Sequence, residues 1–251
     1  MSESAIYLSV IIPAYNEAQR LPKTLRRLQA YLSTCSFTYE ILVVLDGPTD
    51  DTRDVLKATG REIKNLKILD HAVNRGKGRA VREGMLKARG QVRLFTDADN
   101  STDISHLERM LPLLEQGLDL VICSRHPTDA EGARQVVSQA WHKRIMGTIG
   151  NLFIRLVVVR GIRDTQCGFK AFRDYAAEKI FSQTVIDGWA FDVEVLALAR
   201  ALKCRIGIVP ANWVNDPRSH VKWSGYLQVL WETVKIRRNL VAGRYSLGDA
   251  T

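Results

Sequence analysis

The sequence predicts an α/β fold with a mostly parallel central sheet flanked by helices, and three observations support this. Short apolar runs suited to buried strands alternate with segments of helical periodicity. Several of the runs end in polar residues and turn formers, as strands do at the ligand-binding edge of open α/β sheets. The chain has 251 residues, 46% of them hydrophobic, enough for one large domain with a substantial core.

Leu8-Ser9-Val10-Ile11-Ile12 reads as the first buried strand, near 7–12, and runs into Pro13-Ala14-Tyr15-Asn16-Glu17. Leu21, Leu25, Leu28 and Leu32 follow at helical spacing. A second strand, near 40–45, ends in Asp46-Gly47-Pro48, and a third lies near 66–70. Asn74-Arg75-Gly76-Lys77-Gly78-Arg79-Ala80 then opens a helix with small residues and positive charge. It is not a P-loop, because GxxxxGK[ST] is absent, and no G-x-G-x-x-G follows the first strand. Its glycines suit close helix packing, and Lys77 is a candidate diphosphate contact.

The fourth strand, near 91–96, ends in Asp97-Ala98-Asp99-Asn100. Leu107, Leu111 and Leu114 mark a helix, and a fifth strand near 118–123 leads to Arg125. Residues 126–139 lack periodicity and read as a mobile loop able to close over a donor and exclude water, or equally as a plain connector. Trp141 to Val159 follow helical spacing with Lys143, Arg144 and Arg155 among them. Cys167 to Phe172 alternate as a strand, and Val193 to Leu202 read as a helix. Leu227, Leu230, Trp231 and Val234 form an apolar stripe followed by Lys235, Arg237, Arg238 and Arg244. The expected division is a catalytic domain over 1–215 and an amphipathic C-terminal appendage over 216–251.

Two carboxylates at an exposed strand end suit Mg2+ or Mn2+, hard ions that take one or two carboxylates plus phosphate oxygens. The competing reading is a helix cap, since Asp99, Asn100, Ser101 and Asp103 all precede a segment beginning near Ile104. The surrounding motifs decide in favour of the metal. Pro13-Ala14-Tyr15-Asn16-Glu17, Asp46-Gly47, Asp97-Ala98-Asp99, Gly161 to Lys170 and Trp189 to Glu194 together resemble the family 2 glycosyltransferases of the GT-A fold. Within that family the last two segments resemble the dolichyl-phosphate glucosyltransferase and dolichyl-phosphate mannose synthase branch, and the likeness spans roughly residues 6 to 225.

The resemblance implies an inverting transfer of a hexose, glucose from UDP-glucose first and mannose from GDP-mannose as the alternative, to dolichyl or polyprenyl phosphate. It places Pro13, Ala14, Tyr15, Glu17, Asp46, Lys77, Asp97, Ala98 and Asp99 around the nucleotide sugar, with Asp97 and Asp99 on the metal. Where many members carry Asp-Asp-Gly-Ser, this chain has Leu45-Asp46-Gly47-Pro48, which leaves the base preference open. Candidate catalytic residues are Asp99, Arg125, Gln166 and Asp192; Arg125, Arg134 and Lys222 are candidates for the acceptor phosphate. A lipid monophosphate is already anionic and needs cations, whereas an alcohol acceptor needs a general base, for which Asp192 leads. Capping explains Asp192 almost as well, and either Asp192 or Glu194 could face the sugar or acceptor.

A formal net charge of +9 implies an acidic partner. No acidic residue lies between Glu131 and Asp164, and from Arg218 to Gly248 only Glu232 is acidic. Basic amphipathic helices bearing Trp suit an anionic membrane surface, a packing or dimer helix being the rival reading. Nucleic acid is disfavoured, because the basic stretches alternate with Leu, Val and Ile and contain no reading motif. The N-terminus lacks a secretory pattern, and the longest apolar run, Leu152 to Val159, is interrupted by Arg155 and too short to span a bilayer. Cys35, Cys123, Cys167 and Cys204 are unpaired in spacing and read as free thiols of a reduced compartment. The expected location is cytoplasmic, peripherally attached to the cytoplasmic membrane face. A non-catalytic membrane-binding protein and a transferase acting on an alcohol or saccharide are the remaining alternatives.

Overall fold

The computed structural model describes residues 5–135, 141–214 and 223–247. Its first half alternates strand and helix: β1 (Leu8–Ala14), α1 (Leu21–Leu32), β2 (Tyr39–Asp46), α2 (Thr52–Gly60), β3 (Leu66–His71), α3 (Lys77–Lys87) and β4 (Val92–Thr96). A 3-10 turn over Ile104–His106 leads into α4 (Leu107–Glu115) and β5 (Leu120–Ser124). Then come β6 (Arg134–Gln135), α5 (Trp141–Val157), β7 (Phe169–Arg173), α6 (Asp174–Phe181), α7 (Phe191–Ala201), β8 (Ile206–Pro210), β9 (Asn212–Trp213) and α8 (Trp223–Val241).

The main sheet has the order β3-β2-β1-β4-β7-β5-β8, with β7 antiparallel to both neighbours and the other pairings parallel. β1, β4 and β5 are buried along their whole length and β2 along all but Tyr39, as their largely apolar runs require when helices cover both faces. One core layer gathers Ile11, Val44, Phe95 and Phe172 with α3 and α7; the other gathers Val10, Val43 and Leu94 with α1 and α4.

The structure adds detail to two expectations. The segment 126–139, expected as a mobile loop, contains β6, which pairs in parallel with β9, and its residue Asp129 is tied down by several hydrogen bonds described below; 136–140 lie outside the described residues. In the C-terminal segment, Ile236 of α8 and Tyr245 after it belong to the same core layer as β1 and α3.

The chain leaves β1 toward β2 and β3 and returns through β4 on the other side of β1. That reversal is the topological switch point, where open sheets bind ligands beyond their C-terminal strand ends. Pairing of β1 with β4 stops at Ile11↔Phe95, while pairing with β2 continues to Ala14↔Leu45. Pro13 carries no N–H to extend the first ladder. Tyr15 and the Asp97-Ala98-Asp99 turn follow the two strands that flank this switch point, the position where an open sheet forms its ligand crevice.

Candidate active site

The walls of the crevice are held by hydrogen bonds between loops. Asn16, at φ 56, accepts from the Thr49 amide at 2.8 Å, and the Glu17 amide donates to Thr52 Oγ1 at 2.7 Å. Tyr15, beside these contacts, is 41% exposed. The Glu17 carboxylate is bound by Arg20 (2.6 and 2.5 Å). Asp46 is buried at the end of β2 and accepts from the Arg75 and Gly76 amides at 2.8 and 2.9 Å, so it anchors the turn that presents Lys77.

Asp97 and Asp99 stand at the end of β4 as expected, and helix capping falls to neither: Asp103 accepts from the Ser105 amide at 3.0 Å. Ala98 lies between them, buried, and its carbonyl accepts from Thr24 Oγ1 at 2.6 Å, which fixes the turn. Asp99 accepts from the Ser101 amide at 2.9 Å. Burial raises the Asp99 pKa above the ordinary carboxylate value, and repulsion from Asp97 adds to it. The Asp97 carboxylate lies so close to Gly168 that any side chain there would collide with it. Its Oδ1 is buried, sits 2.6 Å from the Lys77 ammonium and receives no hydrogen bond beyond that ion pair. Lys77 Nζ also lies 5.8 and 5.7 Å from the ring centroids of Trp189 and Phe191. Burial works against the charge on Lys77, but Asp97, Asp192 and Asp99 outweigh it and raise its pKa.

This donor set fits a divalent cation of the Mg2+ or Mn2+ type. It offers two carboxylates at an open crevice, one with an under-satisfied oxygen and one whose charge is poorly compensated. Among the described residues no cluster of three or more His, Cys, Asp or Glu could enclose a metal, so phosphate oxygens or water would complete the coordination.

Arg125 follows β5, and its guanidinium is committed to a residue that sequence reasoning missed. Its Nε and Nη2 each donate to Asp164 at 2.7 Å, its backbone amide donates to the same carboxylate, and Trp213 lies 5.3 Å below the guanidinium. Burial opposes ionisation of Asp164, but Arg125 outweighs it and holds the carboxyl below the ordinary range. Asp129 accepts from the Arg163 and Asp164 amides at 3.0 and 2.8 Å and from Ser124 Oγ at 2.8 Å, which ties the 126–133 turn to the segment before β7. With Nε and one Nη2 hydrogen given to Asp164, the remaining N–H groups of Arg125 are those of Nη1 and the second one on Nη2. Gln166 is exposed two residues before Gly168.

A second pair lies deeper. Lys170 of β7 is fully buried; its ammonium donates to the Cys167 carbonyl at 2.7 Å and to Asp192, and it lies 5.3 Å from the Phe95 ring centroid. Burial raises the Asp192 pKa, while Lys170 and Lys77 pull it back. Asp192 thus sits in the first turn of α7 as the partner of a buried cation, and it makes no cap. Glu194 faces the other way, accepting from the Val185 and Ile186 amides at 3.0 and 2.9 Å and from the Tyr245 hydroxyl at 2.7 Å. The expectation that Glu194 could face a sugar is corrected: its oxygens hold the segment leading to α7 and the C-terminal turn.

The turn 187–190 links this cluster to α8. The Asp187 carbonyl accepts from the Gly78 amide at 2.8 Å, and the Ala190 amide donates to Glu232 of α8 at 2.8 Å. Gly188 lies against the ends of the Glu232 and Gln228 side chains, which a Cβ there would displace. The opposite face of α8 exposes Leu227, Trp231, Val234 and Val241 beside exposed Arg237 and Arg238, and α5 adds exposed Leu152 and Leu156. Among the described residues no helix is long and apolar enough to cross a membrane.

With this geometry in place, the family model described as glycosyl transferase family 2 matches residues 9–181. The chain belongs to glycosyltransferase family 2. It is 36% identical to the dolichyl-phosphate beta-glucosyltransferase of Dictyostelium discoideum over 96% of this chain and 77% of that protein. The Homo sapiens enzyme of the same name is 34% identical over 96% of this chain and 78% of its own length. The glucosyl-3-phosphoglycerate synthase of Mycobacterium tuberculosis, solved with Mn2+, UDP-glucose and phosphoglyceric acid, superposes with a TM-score of 0.65 at 16% identity, covering 94% of this chain and 81% of that one. The fold is that of the GT-A glycosyltransferases, and the protein is an enzyme of that class.

In this glycosyltransferase the expected residues Pro13, Ala14, Tyr15, Asp46, Lys77, Asp97, Ala98 and Asp99 lie at or just beyond the C-terminal ends of β1, β2 and β4 or at the start of α3. Of Arg134 only the backbone is described, paired with Asn212 next to Trp213, and Lys222 lies outside the described residues. Sequence reasoning missed Lys170, Asp164 and Trp213. A lysine alternating with Phe169, Ala171 and Phe172 in an otherwise apolar strand was a signal for a buried charge; nothing local marked Asp164, whose partner is 39 residues away.

Proposed function

We propose that the enzyme transfers glucose from UDP-glucose to dolichyl or polyprenyl phosphate with inversion of the anomeric carbon. The observation that carries this reading is the state of the carboxylates near the crevice. Asp192, the candidate base, is bound to Lys170, and Glu194 is turned away, which suits an acceptor that brings its own negative oxygen and needs no proton removed. Relatives named dolichyl-phosphate beta-glucosyltransferases support the same sugar and acceptor, and a UDP-glucose complex of a structural neighbour supports the donor.

Tyr15 would stack on the base and Asp46 would hold the turn that presents Lys77 to the diphosphate. Asp97 and Asp99 would hold Mg2+ or Mn2+, which when bound supplies Lewis-acid neutralisation of the leaving diphosphate. The acceptor phosphate would meet the Nη1 edge of Arg125, kept charged and oriented by Asp164, with Arg134 and Lys222 as further cations and Gln166 beside the sugar. The phosphate oxygen attacks the anomeric carbon opposite the departing diphosphate, so the C–O bond to the nucleotide breaks as the bond to the lipid phosphate forms.

The enzyme would work from a membrane surface without spanning it, on the cytoplasmic side. The exposed apolar rows of α8 and α5, flanked by Arg237 and Arg238, favour an anionic bilayer whose attraction weakens with salt, surface charge being screened over about 10 Å at 0.1 M.

Purified protein with Mn2+ and a short polyprenyl phosphate, given UDP-glucose, GDP-mannose or UDP-N-acetylglucosamine separately, tests the reading by mass of the lipid product. Hexosyl phosphoprenol from UDP-glucose is expected. Product from GDP-mannose alone would overturn the donor, and transfer to the dephosphorylated alcohol would overturn the acceptor.

A further inference from the structure

We infer that Lys77 is an exchangeable counterion which occupies the metal's place on Asp97 in the donor-free enzyme and is handed to the diphosphate when metal and donor arrive. The inference rests on the reading of Asp97 and Asp99 as the metal pair and adds to it a competition inside the free protein.

The Lys77 ammonium is 2.6 Å from Asp97 Oδ1, and that buried oxygen has no hydrogen bond of its own. Mg2+ binds carboxylate oxygen at roughly 2.0–2.1 Å, so an ammonium at this distance occupies one direction from which a cation could approach that oxygen. Two cations cannot share that oxygen closely without strong repulsion in a half-buried site. The Asp97 carboxylate lies beside Gly168, filling the space a Cβ there would need, whereas Lys77 has the longer and more flexible side chain. The mobile partner is therefore the lysine.

Lys77 is built to be released. Its side chain is 23% exposed and that of Asp97 30%, so the pair stands at the crevice wall. It is the first residue of α3, on a turn anchored by Asp46 through the Arg75 and Gly76 amides, so its backbone stays fixed while the side chain moves. The faces of Trp189 and Phe191 give the ammonium an attractive path that is not a carboxylate. A diphosphate entering beside Asp97 offers the lysine a better partner than an oxygen it must then share with a metal.

The consequence is positive coupling between metal and nucleotide, which linkage makes reciprocal. Wild-type protein should bind Mn2+ weakly by itself and more tightly with UDP present, as followed by electron paramagnetic resonance of free Mn2+ and by calorimetry. Lys77→Met should tighten Mn2+ binding to the nucleotide-free protein by about tenfold, weaken UDP binding, and reduce the Mn2+–UDP coupling by a similar factor. Lys77→Arg keeps a cation at the site and should retain weak Mn2+ binding. Circular dichroism confirms the fold, and Lys77→Gln, which also removes the charge, replaces the Met variant if that one fails to fold. Unchanged or weaker Mn2+ binding by the folded, charge-removed variant would overturn the handover while leaving the metal site intact. Failure of wild-type protein to bind Mn2+ even with UDP or GDP would instead overturn the metal reading on which it rests.

Discussion

Two lysine–aspartate pairs lie at the same end of the sheet and share the same chemistry, yet the structure gives them opposite characters. Lys170–Asp192 is sealed, with side chains 0% and 5% exposed, and Lys170 also reaches a backbone carbonyl. Lys77–Asp97 stands at the crevice wall, with both side chains partly exposed and one carboxylate oxygen under-satisfied. A buried pair resists separation because each member alone would carry a large desolvation penalty. A partly exposed pair loses less on parting, since water or an incoming ligand can replace the partner. The same two residue types therefore make a fixed strut in one place and an exchangeable contact in the other.

Breaking the sealed pair should give the largest effect. Asp192→Asn leaves the Lys170 charge buried and uncompensated and should lower unfolding free energy by about 3–5 kcal/mol, whereas the double replacement Lys170→Met, Asp192→Leu should recover most of it. For comparison, Lys77→Met should stay within about 1 kcal/mol of wild type in the same urea titration. Similar losses at both pairs would erase the distinction drawn from burial.

The open site can be probed next through its chemistry. Asp99→Ala should reduce turnover by about 100- to 1,000-fold, the range for removal of one group that stabilises transition-state charge. It should leave the melting temperature unchanged or raised, because burial and Asp97 already work against the Asp99 charge. Full turnover of this variant in chelator-treated buffer would remove Asp99 from the metal reading.

The smallest effect concerns Asp164, the intermediate case, and is visible only in acid. Arg125 holds its folded pKa below the ordinary 3.8, so the stability it contributes is fully present above that value and is lost as pH falls through the lower folded value. The difference in unfolding free energy between wild type and Asp164→Asn should be constant near neutral pH and shrink below pH 3.8. A difference that stays constant down to about pH 2 would mean that the carboxylate charge contributes nothing.

Much of the fold was legible locally. β1, β2, β4 and β5 are apolar runs that only a two-sided sheet can bury, and each delivers its polar terminus where the pattern placed it. β7 was visible as alternation, but its antiparallel insertion between β4 and β5 was not, because direction depends on how the chain returns across the sheet. β6 was read as loop because a two-residue strand has no periodicity to detect.

The site divides in the same way. Asp97 and Asp99 were readable because strand-end geometry and carboxylate spacing are properties of a few consecutive residues. Asp192 and Asp46 were readable as residues near a site, but their partners were not: Lys170 is 22 residues from Asp192, and the Asp46 carboxylate binds amides 29 and 30 residues on.

The sequence by itself determined the alternation of strand and helix, the carboxylate pair at the end of β4 and the basic, apolar character of α8, all of which follow from periodicity and local turn chemistry. Only the tertiary structure decided which lysine meets which aspartate, that Arg125 is bound to Asp164, and that α8 holds the turn before α7 through Glu232. Those choices depend on burial and on the distance between side chains far apart in the chain, and the folded packing sets both.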